Sequence, residues 1–187
     1  MSKESIVLRP LRIDDYETVL KWSKDDQFCS ANDWERNRDE EELRQWWIFC
    51  VNNRADDFIR MGIELDGKMI GYADLANIEG NTAEIGIAIG ESSLWGRGIG
   101  YHAAQRLMEY ASTKLGITVF TAETHETNKR SRKMLENLGF EETSRIGTEE
   151  YLGEETQLIQ YSLTQNAENP TIAHKSQNTR INPSKYA

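Results

Sequence analysis

The sequence predicts an α+β fold in which helices flank a central mixed sheet. Short segments rich in β-branched and aromatic residues recur along the chain and indicate strands. Apolar residues at helical spacing fall between these segments, and capping residues or glycines stand at the boundaries. The predicted order is β-α-α-β-β-β-α-β-α-β-β, in one domain of ordinary size for 187 residues.

The first third of the chain predicts one strand and two helices. Residues 5–8 are expected to form the strand, and a helix should begin at Asp14 with Glu17 as its capping-box partner. A second helix is expected to start near Asp39, and its apolar side chains form one stripe. We interpret the stripe as core, with the wall of a substrate pocket as the alternative; it consists of Leu43, Trp46, Trp47, Cys50 and Val51.

A β-meander follows. The segments "FIRMGIEL" and "KMIGYADL" flank Asp66-Gly67, a dipeptide that favours a type I′ hairpin turn. After a loop over residues 79–82, "AEIGIAIG" is expected to be the third strand of the meander.

Two more helices and three strands complete the domain. A helix after Gly100 should end at Gly116, and its buried face should hold small and apolar residues. The segment "TVFTAET" indicates a strand, and "NKRSRKMLENLGF" indicates a helix that Gly139 closes. The last strands, "FEETSRI" and "TQLIQYSL", are expected to pair as a hairpin around Gly153. The expected buried face of the first of these helices is Ala103, Ala104, Leu107, Met108 and Ala111.

Composition excludes several kinds of partner. The chain has 22 Lys and Arg against 31 Asp and Glu, a net charge of −9, which disfavours nucleic acid and favours cationic partners. The two cysteines, Cys29 and Cys50, lack the spacing of a zinc site, so we expect no metal. The opening "MSKESIVLRP" has no sustained apolar run, and no stretch reaches about 20 apolar residues. We therefore expect a cytoplasmic protein without a membrane segment.

The last part of the chain differs in composition. From Gln165 onward the sequence is polar, holds two prolines and shows no periodicity. The sequence thus predicts a domain over residues 1–164 and a polar tail over residues 165–187.

Three glycines in five residues, Gly96, Gly98 and Gly100, stand directly before a predicted helix. Each glycine costs backbone entropy but lets a ligand approach the main chain closely. The free N–H groups of a helix start attract anions, and Arg97 adds a positive charge. We therefore expect the loop over residues 95–100 to hold a phosphate or pyrophosphate. The Walker lysine and the dinucleotide-binding spacing are both missing, which disfavours nucleotide-binding folds.

The segment "EIGIAIGESSLWGRGIGYHAAQRLMEYA" resembles the acetyl-coenzyme A binding core of the GNAT superfamily of N-acetyltransferases. The family pattern is Gln/Arg-x-x-Gly-x-Gly/Ala, and Trp95 replaces its first polar residue. "TAETHETNKRSRKMLENLGF" and the opening "LRPLRIDDYETVLKW" extend the resemblance over about residues 5–163. The opening and Trp95 are typical of the branch of ribosomal-protein alanine acetyltransferases.

The resemblance implies a GNAT fold, with a twisted mixed sheet of about seven strands, about four helices and a V-shaped split between two parallel strands. Acetyl-CoA would enter the split between "EIGIAIG" and "TVFTAET". Its pantetheine arm would pair with a strand edge, and its pyrophosphate would lie on the glycine loop. The implied contacts are Ile87, Ala88 and Ile89, the loop residues Trp95, Gly96, Arg97, Gly98, Ile99, Gly100 and Tyr101, and then Asn128, Ser131 and Lys133. Asn128 has a helix cap as its alternative role.

The implied reaction is direct acetyl transfer to a primary amine, which must be neutral to attack. Freeing a lysine-like amine at pH 7 costs about 4.6 kcal/mol and freeing an α-amine about 1.4 kcal/mol, so a base matters more for the former. Glu84 is the first candidate base, because it lies on the strand at the spacing of the glutamate base in histone-acetylating relatives. Its alternative is a structural carboxylate, and Glu123 and His125 are weaker candidates.

The proton donor to the departing thiolate stays open. Many relatives carry a tyrosine seven residues after the loop asparagine, but this chain has Leu135 there. Ser131, Tyr151 and solvent are the remaining candidates.

The acceptor would be a small cationic amine or a peptide N-terminus. Acidic residues of the first two helices and the final hairpin would attract it, unless they are only solvated helix faces. A GNAT-shaped module that binds acetyl-CoA without transfer is the alternative function. Dimers are common in the family, so a homodimer is a further expectation. The acidic residues are Asp25, Asp26, Asp33, Glu35, Glu40, Glu41, Glu42, Glu149 and Glu150.

Overall fold

A computed structural model describes residues 6–53 and 55–165, which form eight strands and five helices. Residues 1–5 and 166–187, and with them nearly all of the predicted tail, lie outside the described residues. The strands are β1 Val7–Pro10, β2 Ile59–Leu65, β3 Lys68–Glu79, β4 Thr82–Ile89, β5 Val119–His125, β6 Glu141–Ser144, β7 Thr148–Tyr151 and β8 Glu154–Thr164. The helices are α1 Tyr16–Trp22, α2 Asp26–Ala31, α3 Glu40–Asn52, α4 Ile99–Tyr110 and α5 Lys129–Leu138.

The strands form a mixed sheet in the order β1-β2-β3-β4-β5-β8-β6, and β7 pairs separately with β8. Among the strands of the described residues, β4 and β5 pair in parallel and the other pairs are antiparallel. The predicted mixed sheet is therefore confirmed. At the β2–β3 hairpin, Asp66 and Gly67 have φ values of 50° and 79°, as a type I′ turn requires.

The sheet separates two hydrophobic clusters. Successive strand residues point to opposite faces, and accordingly Tyr72 and Ala73 belong to different clusters. One cluster holds the predicted apolar face from Ala103 to Ala111, which is buried and lies on α4 and the residue directly after it. The other holds α1, α2 and α3, where Leu43 and Trp47 of the predicted stripe are buried. The other stripe residues, Trp46, Cys50 and Val51, are partly buried against the same cluster, so the interpretation as core is confirmed for Leu43 and Trp47.

The start of α1 differs from the prediction. Asp14 and Glu17 form no capping box; instead, a 3₁₀ turn precedes the helix. The last residue of that turn, Asp15, accepts a hydrogen bond from the Arg12 N–H at 2.8 Å. Asp15 is buried and also accepts two hydrogen bonds from Arg9, at 2.7 and 2.8 Å. Asp15, held by this buried ion pair, is the N-cap residue of α1. The helix therefore begins at Tyr16, one residue later than a cap at Asp14 predicts.

The sequence missed two short elements, and its count of seven strands and four helices was one too low for each. Helix α2 has six residues, which is too few for apolar periodicity. Strand β7 has four residues, of which the first three are exposed. The hairpin turn at Gly153 joins β7 to β8, whereas β6 pairs with β8 separately. The described helices include none that is both long and apolar enough to cross a membrane.

Candidate active site

The two parallel strands in the middle of the sheet separate along their length. β4 and β5 pair only where residues 82–84 face residues 119–121. Beyond that point β4 remains paired with β3, and β5 remains paired with β8. A gap therefore opens between the second halves of β4 and β5, as the predicted V-shaped split requires.

A cavity of about 360 Å³ adjoins this gap. Most of the predicted site residues line it, whereas Glu84, Ala88 and Arg97 do not. The predicted residues at the cavity are Ile87, Ile89, Trp95, Gly96, Gly98, Ile99, Gly100, Tyr101, Asn128, Ser131, Lys133 and Tyr151. The lining residues that the sequence did not single out are Ala31, Asn32, Leu94, Arg130, Met134 and Asn137.

The glycine-rich loop turns directly into α4. Gly98 is the N-cap residue, with φ of 81° in the left-handed region that favours glycine. The N–H groups of the first turn, at Ile99, Gly100 and Tyr101, have no partner within the helix. A Cβ atom on Gly100 would lie 3.2 Å from the Met134 sulfur, so α4 packs closely on α5 here. The loop therefore presents unpaired donors at the cavity wall.

Trp95 connects this loop to β4 and α5. Its Nε1 donates a hydrogen bond to the Ile89 carbonyl at 2.8 Å. The Arg130 guanidinium lies over the indole ring, with Cζ at 4.1 Å from the ring centroid. The side chain thus contacts both walls of the cavity.

Asn128 caps α5 and also lines the cavity. Its Oδ1 accepts a hydrogen bond from the Ser131 N–H at 3.1 Å. The alternative role of Asn128 as a helix cap is therefore confirmed. The cap uses only Oδ1, so the side-chain amide nitrogen is free to contact a ligand in the cavity.

The candidate base lies at the closed end of the split. Glu84 is opposite Thr121 in the parallel pairing, and its Oε2 accepts a hydrogen bond from the Asn77 amide at 2.9 Å. The carboxylate is half-buried and does not line the cavity. The role of Glu84 as a base therefore stays a prediction.

Among the candidate acids, Ser131 and Tyr151 line the cavity. Tyr151 is 6% exposed, and its ring stacks on His125 at 4.7 Å between centroids. His125 Nε2 lies 3.5 Å from the Glu149 carboxylate, without a hydrogen bond to any described residue. Leu135 is 2% exposed within the core, so the position of the family tyrosine offers no polar group.

Charge around the cavity is positive. Arg130 and Lys133 line it, and Arg97 lies on the adjoining loop. None of the nine acidic residues proposed to attract the acceptor lines the cavity. Two of them have structural roles: Asp25 caps α2, and Glu40 pairs with Lys24 at 2.8 Å. Within the described ranges, no cluster of three or more His, Cys, Asp or Glu residues could hold a metal ion.

Comparison with known families gives the class of the protein. Residues 5–141 match the model of the acetyltransferase (GNAT) domain, so the chain belongs to the GNAT acetyltransferase family. The fold and the membership of the GNAT family inferred from the sequence are thereby confirmed. The match identifies the family and does not single out the branch of ribosomal-protein alanine acetyltransferases.

Individual relatives are distant. An uncharacterized protein of Methanocaldococcus jannaschii is 27% identical over 150 residues, which cover 80% of this chain and 31% of that protein. Alpha/beta-tubulin-N-acetyltransferase 9 of Mus musculus is 25% identical over 153 residues, covering 75% of this chain and 64% of that one. The chain therefore spans about a third of the length of the first relative and under two thirds of the length of the second.

Solved structures share the fold. A spermidine N-acetyltransferase from Vibrio cholerae, in complex with CoA and spermine, superposes with a TM-score of 0.73 at 20% identity, covering 86% of this chain and 95% of that one. A domain from Methanocaldococcus jannaschii has a TM-score of 0.65 at 25% identity, covering 86% of this chain and 98% of the other.

Proposed function

We propose that this chain transfers an acetyl group from acetyl-CoA to a primary amine. The observation that carries the proposal is the cavity at the open end of the split, where unpaired helix N–H groups and two basic side chains meet the edge of β4. Donors and cations of this kind suit a pyrophosphate.

The residues at the cavity fit coenzyme A. The N–H groups of Ile99, Gly100 and Tyr101 would hold the pyrophosphate, and the open edge of β4 near Ile87 would pair with the pantetheine amides. Lys133 would neutralise phosphate charge. Acetyl-CoA supplies a thioester, a reactive acyl group that a neutral amine attacks directly.

Two proton movements accompany the transfer. The amine loses a proton, for which Glu84 is the proposed acceptor through a water. The departing thiolate gains a proton, and Tyr151 or Ser131 is the proposed donor because both line the cavity. Releasing the thiol as a thiolate at pH 7 costs about 2 kcal/mol, so the donor contributes less than the base when the acceptor is lysine-like.

Two acceptor classes remain in the proposal. A small cationic amine is suggested by the shared fold with a spermidine N-acetyltransferase, and a protein amine by the similarity to a tubulin N-acetyltransferase. An N-terminal α-amine needs less assistance from a base than a lysine-like amine. Because Glu84 does not line the cavity, we propose the α-amine class as the alternative acceptor.

A module that binds acetyl-CoA without transfer is the second candidate function. Two observations favour it: Glu84 lies outside the cavity, and Leu135 is buried in place of the family tyrosine.

Thiol release from acetyl-CoA against a panel of polyamines, aminoglycosides, amino acids and peptides with free N-termini separates the two functions. We expect release with at least one class. We also expect Glu84→Gln to lower kcat at least tenfold for a lysine-like acceptor with little change in the Kd of CoA. Glu79→Gln, an exposed carboxylate on the same pair of strands, is the matched control. CoA binding without release on any amine would support the binding module.

A further inference from the structure

The indole of Trp95 joins three parts of the cavity wall. Trp95 is the first residue of the glycine-rich loop. Its Nε1 donates a hydrogen bond to the Ile89 carbonyl at the end of β4, and the guanidinium of Arg130 in α5 lies over its ring. The family pattern places a polar residue at this position, whereas a tryptophan supplies both a donor and an aromatic face.

The hydrogen bond uses part of the acceptor capacity at the end of β4. The Ile89 carbonyl accepts from Trp95 Nε1 at 2.8 Å, which occupies one of its two lone pairs. This bond ties the indole to the end of β4 and so fixes the plane of the ring on which Arg130 lies.

The aromatic face orders an otherwise exposed cation. Arg130 is on the first turn of α5 and is exposed, yet its guanidinium lies 4.1 Å from the indole centroid. Stacking on an aromatic ring reduces the conformational freedom of arginine without using its N–H donors. No carboxylate of the described residues pairs with Arg130, and the side chain lines the cavity. An ordered guanidinium with unused donors at an anion site is suited to bidentate phosphate binding.

We propose that Arg130 is a phosphate ligand for coenzyme A and that Trp95 is the residue that positions it. This inference rests on the proposed use of coenzyme A. The adenosine end of coenzyme A carries a pyrophosphate and a 3′-phosphate. Both present anionic phosphate oxygens, which are the groups that Arg130 would bind.

The first test measures the Kd of CoA and of 3′-dephospho-CoA by calorimetry. We expect Arg130→Gln to weaken CoA binding at least tenfold. Lys129→Gln, which removes a neighbouring exposed cation outside the cavity, should change the Kd less than twofold. A loss that disappears with 3′-dephospho-CoA assigns Arg130 to the 3′-phosphate, and an equal loss with both ligands assigns it to the pyrophosphate. A change under twofold for both ligands would overturn the proposal.

The second test asks whether Trp95 acts through Arg130. Trp95→Phe keeps an aromatic face, and Trp95→Leu removes it. We expect Trp95→Leu to weaken CoA at least fivefold in the wild-type background and less than twofold when Arg130→Gln is already present. Additive losses would exclude the positioning role, since a merely structural tryptophan would weaken binding equally in both backgrounds. Unfolding midpoints verify that each variant is folded.

The outcomes also separate this inference from the proposed function. If the wild-type chain binds no CoA, both are wrong. If the wild-type chain binds CoA and Arg130→Gln binds equally well, only the role of Arg130 is wrong.

Discussion

Replacing Gly98 with aspartate tests whether the start of α4 holds an anion. Gly98 is the N-cap residue of that helix, and an ideal Cβ there has no heavy atom within 4 Å. A side chain therefore has space to project without a clash. Gly98→Asn is the matched control, because asparagine has the shape of aspartate without its charge.

Two effects determine how strongly the Gly98 variants differ from the wild-type chain: backbone strain and charge repulsion. A non-glycine residue at φ of 81° is strained by about 1–2 kcal/mol, less for asparagine or aspartate than for other residues. This strain lowers the free energy of unfolding of both variants and nearly cancels in their comparison. A carboxylate about 6 Å from a pyrophosphate charge is repelled by about 3 kcal/mol at an effective dielectric of about 20. Salt reduces this to about 2 kcal/mol, or about a 30-fold difference in Kd.

Calorimetric titration with CoA at low and at high salt measures this difference. We expect Gly98→Asp to bind about 30-fold more weakly than Gly98→Asn, with the gap narrowing as salt rises. Equal affinities of the two variants at low salt would refute the assignment of the pyrophosphate to this loop.

The remaining predictions concern stability and reactivity. Burial opposes ionisation of Asp25, but hydrogen bonds led by the Phe28 N–H hold its pKa below the usual value. Asp25→Ala should therefore lower the free energy of unfolding by about 1 kcal/mol at pH 7 and by less below about pH 4, measured by urea unfolding at both pH values. Leu107→Ala should cost about 2–5 kcal/mol, because the leucine is 0% exposed; a loss under about 1 kcal/mol in the same assay would contradict the described core. Burial raises the pKa of the Cys29 and Cys50 thiols, so both should react with a thiol reagent at pH 7.5 more slowly than free cysteine, and labelling at the free rate would contradict this.

Local chemistry made much of the fold predictable. Asp39 caps α3 by accepting hydrogen bonds from the N–H groups of Glu41 and Glu42. The sequence indicates this cap by an aspartate one helical turn before the first residue of the apolar stripe. Gly116 and Gly139 end their helical segments with positive φ, as glycine after a helix predicts. The start of α1 was mispredicted because it depends on Arg9, whose ion pair with Asp15 crosses from strand to turn.

The sequence predicted the cavity-lining residues of the glycine-rich loop and only some of those on other elements. Trp95, Gly98 and Tyr101 belong to one short motif, so their proximity follows from the sequence. Arg130 was missed because a cation on the polar face of a helix has the same sequence pattern whether it faces solvent or a ligand. Its stacking on Trp95 depends on how α5 packs beside the loop.

The position of Glu84 relative to the cavity also needed the structure. Its distance in sequence from Trp95 matches that of a family base, but the length over which β4 and β5 pair decides which residues border the split. That length is a property of two strands that lie 30 or more residues apart in the chain.

The most direct measurement of the central claim follows an isotopically labelled acetyl group from acetyl-CoA. Mass spectrometry of the acceptor panel should find the label in an amide of at least one amine with the wild-type chain, and much less with Gly98→Asp. Label that stays on CoA or is released as acetate with every amine would contradict the account of this protein as an N-acetyltransferase of primary amines.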